Sequence, residues 1–155
     1  MSECRRIADQ LRRAFEGEAW HGPAVLELLE GVDAQKASQR PSNDVHSIWE
    51  IVRHIGVWDD AAIRRMGGGV VQPTGETDWP KVTDVSEAAW KATVAELIRT
   101  HNTLVEQVEA MPQARLDERV PGKKPEFYNF YYMLHGIAQH ELYHAGQIAL
   151  LKKLV

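Results

Sequence analysis

The chain holds a single thiol. Cys4 is the only cysteine among 155 residues, so no disulfide can form within it. That suits a reducing compartment, and a cytoplasmic location is the expectation. A long apolar run is missing too. Nothing approaches the roughly 20 residues a membrane-spanning helix needs. Residues 1–10 are polar and charged where a secretory leader would carry an apolar segment. Basic clusters are equally absent. With 18 basic and 22 acidic residues the formal charge is −4. Nucleic-acid binding rests on neutralising phosphates, and docking on an anionic membrane rests on clustered Lys and Arg. Neither partner is expected. Strand alternation, internal repeats and low-complexity tracts are also lacking, and the length fits one domain, 1–155, able to bury a core.

What the sequence does contain is helical periodicity. Cys4, Ile7, Ala8, Leu11, Ala14 and Phe15 recur at three- and four-residue steps and predict a helix over 3–18. Gly22-Pro23 breaks it, and 24–30 reads as a short extra helix. Residues 33–43, polar and with Pro41, read as loop. Ser47 and Glu50 are spaced as a capping box. The helix they open carries the stripe Ile48, Ile51, Val52, Ile55, Trp58 and Ala62 up to Gly67-Gly68-Gly69. Residues 70–82 look irregular. A third long helix spans 85–111, with Asp84 and Glu87 as a capping pair, and Pro112 ends it. After a loop over 116–126, the fourth runs over 127–154. Met133, Ile137, His140, His144, Ile148 and Leu151 form its inward line. Four long amphipathic helices predict an all-α four-helix bundle with long inter-helix loops. The pattern leaves the order of packing open.

The chemistry concentrates in the last helix. His140-Glu141-Leu142-Tyr143-His144 places two imidazoles four residues apart on one face, with Cβ atoms about 6 Å apart. Both can then reach one ion through bonds of about 2.0–2.1 Å. The string also reads H-E-x-x-H, the pattern of zinc peptidases. Those enzymes need a further ligand downstream. Gln147 and Leu150 stand where the metzincin pattern has Gly and His, and residues 145–155 contain no His, Asp, Glu or Cys. A peptidase is therefore disfavoured.

A third ligand has to come from a facing helix. His54 leads, because Ile51 and Trp58 flank it on the apolar stripe. His101, on the apolar face of the third helix, is second. His46 and His135 are weaker, and His21 is unplaced. Glu141 points about 100° away from His140 and reads as a solvated or ligand-orienting carboxylate rather than a general base. Glu141, Tyr143 and Gln147 are weak catalytic candidates, Tyr143 as a hydrogen-bond donor at a pocket rim and Gln147 as partner of a metal-bound water or another helix. Gly146 suits close helix packing. Trp58 can wall a metal pocket, whereas Trp20, Trp49, Trp79 and Trp90 read as core or loop anchors. Cys4 reads as an inert buried thiol.

Two strings carry a family resemblance. His140-Glu-Leu-Tyr-His144-Ala-Gly146-Gln147-Ile148, together with His46-Ser47-Ile48-Trp49-Glu50-Ile51-Val52-Arg53-His54-Ile55, resembles the signatures of the DinB/YfiT-like superfamily. Trp20-His21-Gly22-Pro23, with Leu26 and Leu29, resembles one branch of it. The resemblance implies an up-up-down-down four-helix bundle, often homodimeric. It implies one divalent metal held by His54, His140 and His144, with other positions open to water or substrate and His101 outside the ligand set. Imidazole ligands suit zinc, nickel or iron. Thiol-dependent S-transferases and mycothiol-dependent isomerases occur in the family. The functional expectation is thus a metal-dependent transferase or hydrolase acting on a small molecule, with a low-molecular-weight thiol as candidate cosubstrate. A non-catalytic metal-binding or stress-response protein is the alternative.

Overall fold

The computed structural model describes residues 1–155. Its regular elements are α1 (Glu3–Phe15), α2 (Val25–Leu29), α3 (Ala34–Ser38), α4 (Ile48–Met66), α5 (Glu87–Ala110) and α6 (Phe130–Leu154). Two 3₁₀ turns, Gly75–Thr77 and Gln113–Asp117, complete the set, and the only strand-like pairing is an isolated bridge between Arg119 and Asn129. α1, α4, α5 and α6 form the bundle. α1 packs on α5 and α6, and so does α4. α1 and α4 therefore lie across one diagonal, α5 and α6 across the other. None of the helices is long and apolar enough to cross a membrane.

Local chemistry sets the helix starts. Ser47 Oγ accepts from the Glu50 N–H, and the Glu50 carboxylate accepts from the Ser47 N–H at 2.8 Å, so the expected capping box opens α4. α5 differs from expectation. Its cap is Ser86, whose hydroxyl accepts from the Ala89 N–H; Asp84 instead accepts from the Ser86 N–H. Glu87 accepts from the Ala34 N–H at 2.9 Å. That contact anchors α3, which lies inside the segment expected to be loop. Asp33 caps α3 through the Lys36 N–H, a local signal within the polar stretch. α1 ends three residues early because Gly17 and Glu18 adopt positive φ, 157° and 58°. α6 begins at Phe130, capped by Asn129.

The interior has two apolar parts. One gathers Phe15, Trp49, Val52, Ile55, Trp90, Leu97 and Ile148; the other gathers Ile7, Leu11, Ala62, Leu104, Phe130 and Ile137. Trp49 and Trp90 serve as core anchors, as expected, with indole N–H groups donating to Thr93 Oγ and the Val32 carbonyl. Trp20 does not; it is fully exposed. Cys4 is buried, and burial pushes its thiol pKa up, consistent with an inert thiol. The 67–86 and 111–129 connections meet at Gly122 (φ +76°), where a Cβ would lie 2.6 Å from Val70 Cγ1. Only glycine fits that approach.

Candidate metal centre

α4 and α6 bring three imidazoles to one point. His54 Nε2 lies 3.0 Å from His140 Nε2, which lies 3.0 Å from His144 Nε2. All three ligand atoms fall within 4.8 Å of one another. Tetrahedral ligands at about 2.0–2.1 Å from an ion would be about 3.3 Å apart, so the spacing is that of a coordination sphere.

The outer ring nitrogens fix the tautomers. His54 Nδ1 lies 2.9 Å from the Asp78 carbonyl, which can only accept, so Nδ1 carries the proton. His144 Nδ1 donates in the same way to Gln147 Oε1 at 2.7 Å. Both rings therefore aim Nε2 lone pairs at the centre. The single Nε2 proton that His140 can offer cannot serve both, and His140 Nδ1 is buried without a partner. Three ligand lone pairs around a shared point suit a cation better than hydrogen bonds among themselves. Burial, reinforced by the neighbouring imidazoles, pushes the His140 pKa down to about 3. Burial likewise takes His144 to about 4, despite the Gln147 hydrogen bond. Burial lowers His54 too, against the opposing pull of Asp78. All three rings are neutral at physiological pH, the form that binds metal.

The family model of the DinB superfamily matches residues 19–148. The chain belongs to the DinB superfamily. No curated protein and no solved structure matches it.

Around the imidazoles this DinB-superfamily chain builds an aromatic cavity of about 850 Å³, whose lining includes Trp58, Trp79, Tyr128, Tyr132, Tyr143 and the buried Arg65. Trp58, expected as a wall, presents its edge 5.9 Å from the His140 ring and donates its indole N–H to Asp78 Oδ1 at 2.8 Å. Trp79 is no mere loop anchor. It is sandwiched between His54, 3.9 Å away at 6°, and His46, 3.7 Å away at 4°. Sequence reasoning missed Asp78 and Trp79 because they lie in the irregular 70–82 connection, where no periodicity places a side chain. A separate cavity of about 820 Å³ between α4, α5 and that connection carries Arg53, Asp60, Arg64 and Glu96 but no imidazole or thiol.

Other candidates sit elsewhere. Glu141 is neither solvated nor turned toward the imidazoles. It is fully buried at the bundle axis, with Oε1 2.9 Å from His101 Nδ1. Asp59 Oδ2 lies 3.4 Å from the same nitrogen. Burial pushes both carboxyl pKa values up. Burial works against charge on His101, but the two carboxylates outweigh it and raise its pKa. Gln147 Oε1 is engaged by His144 Nδ1. Tyr143 stands at the cavity rim and is 65% exposed, so it is reachable from solvent. Gly146 is exposed, and a Cβ there would meet nothing within 4 Å, so it serves no packing inside the chain. His46 lies behind Trp79, His135 lines the cavity away from the three imidazoles, and His21 is exposed.

Proposed function

We propose that the chain is a metal-dependent enzyme in which His54, His140 and His144 hold one divalent ion, zinc, nickel or iron, facing the aromatic cavity. The observation that carries this reading is the tautomer arrangement: the Asp78 carbonyl and Gln147 occupy the outer nitrogens and leave lone pairs converging on one point. Three neutral ligands leave a dication's charge uncompensated. Bound there, such an ion supplies Lewis acidity, lowering the pKa of a water or thiol in an open position. The protein's own residues do the rest. Asp78 and Gln147 hold the rings. Trp58 and Trp79 narrow the approach and exclude bulk water. Aromatic walls favour an organic electrophile over a peptide, and Tyr143 at the rim offers a hydrogen bond to it. The reaction class is transfer of a low-molecular-weight thiol, or hydrolysis, at a small molecule.

The reading includes a homodimer, supported by the α6 face, which shows solvent no charged side chain between Phe130 and Leu151 while Tyr131, Leu142 and Leu150 are exposed. Sedimentation should report a dimer that Leu142→Glu with Leu150→Glu dissociates; a monomeric wild type would remove this part. For the reaction, zinc-loaded protein is incubated with a thiol panel and alkylating electrophiles. Conjugation above the rate of the His140→Ala variant supports the enzyme. Equal rates in both would exclude the thiol reaction, and the same comparison with activated esters tests hydrolysis.

A further inference from the structure

A second donor set lies away from the cavity, between the two apolar halves of the core. We infer that Asp59, His101 and Glu141 enclose a second divalent ion at the bundle axis, joining α4, α5 and α6.

Each residue comes from a different helix, and each side chain is completely buried. Their ligand atoms lie within 4.8 Å of one another. The distances from His101 Nδ1, 2.9 Å to Glu141 Oε1 and 3.4 Å to Asp59 Oδ2, bracket the roughly 3.3 Å expected between tetrahedral ligands. All six polar atoms, both oxygens of each carboxylate and both ring nitrogens, lack a hydrogen-bond partner with acceptable geometry. Buried polar groups left that way are costly, and native interiors rarely hold several together.

The surroundings sharpen the point. On α4, Ile55 belongs to one apolar half and Ala62 to the other, with Asp59 between them; Leu97 and Leu104 flank His101 likewise on α5. Phe15 of α1 stacks on the His101 ring at 3.9 Å and closes the fourth side. An all-apolar layer here would pack without penalty. Charge supplies the reason for a cation. With its protons displaced by an ion, the cluster is two carboxylates and a neutral imidazole, a −2 set that a dication cancels, whereas the three-histidine group has no such compensation. Four carboxylate oxygens and one nitrogen can close a coordination sphere without water, the pattern of a structural rather than a catalytic site. This donor set suits zinc, iron or manganese.

The test needs no knowledge of a substrate. Wild type, the His54→Ala/His140→Ala double variant and the Asp59→Asn/Glu141→Gln double variant are expressed and refolded with zinc, desalted and analysed for metal per chain. The inference expects about two equivalents in wild type and about one in each double variant. It also expects zinc to raise the melting temperature of His54→Ala/His140→Ala. That variant leaves the buried cluster untouched, so it decides the matter even if Asp59→Asn/Glu141→Gln fails to fold. About one equivalent in wild type and none in His54→Ala/His140→Ala would overturn the inference, leaving a proton shared by the carboxylates as occupant, and would leave the cavity site standing. One equivalent in both proteins supports the inference and overturns the cavity site. No zinc in any protein overturns both.

Discussion

Replacing Gln147 with leucine removes one acceptor and nothing else of consequence. Gln147 Oε1 holds His144 Nδ1 at 2.7 Å from one turn along α6. Without it, His144 is free to rotate and to place its proton on Nε2, where it would face the shared point. Partners of this kind behind a metal-bound imidazole are worth 10–100-fold in affinity, or about 1.4–2.7 kcal/mol. Leucine matches the size and helix propensity of glutamine, so folding stability should move by less than about 0.5 kcal/mol. The assay is zinc competition against a chromophoric chelator at neutral pH, read on the equivalent that His140→Ala lacks. Gln147→Leu should weaken it 10–100-fold, and Gln147→Glu, which still accepts from Nδ1–H, should restore it. Wild-type affinity in Gln147→Leu, or equal weakening by both substitutions, would refute the tautomer argument.

Three further outcomes follow from the same contacts. Ser47→Ala removes the hydroxyl that caps α4 and should cost about 0.5–2 kcal/mol in urea unfolding; an unchanged midpoint would deny the capping box any energetic role. Trp79→Ala loses two stacked imidazoles, each worth about 0.5–1.5 kcal/mol, and frees the His54 ring, so stability and zinc affinity should fall together. In the metal-free protein, His140 titrates near 3 when folded against an ordinary 6.5. The unfolded chain then binds the extra proton, so this histidine's contribution is intact above about pH 6.5 and is lost as pH falls toward 3. Wild type should lose ground to His140→Gln by at most about 1.4 kcal/mol per pH unit through that window; parallel stability curves would contradict the shift.

Much of the scaffold was readable because it is local. The Ser47–Glu50 spacing, the glycine stop after Met66 and the three- to four-residue periodicity mark helices from within a single window of sequence. The pairing of His140 with His144 is local too, and His54 was placed by Ile51 and Trp58 around it. What escaped depends on distance. Glu141 reads as the exposed neighbour of a histidine until α5 brings His101 against it from forty residues away. Asp59, beside Asp60 in sequence, gives no local sign that it is the buried member of that pair. Asp78 and Trp79 reach His54 only because the 67–86 connection folds back over α4, held by the Arg65 side chain on the Val71 carbonyl and by Val70 against Gly122.

The central claim is that His54, His140 and His144 act as one ligand set. Zinc affinity in wild type beside His54→Ala, His140→Ala and His144→Ala tests it most directly. Each single substitution should abolish the same high-affinity equivalent, with no additive series, because two imidazoles do not make the site. Retention of that equivalent in any one of the three variants would contradict it.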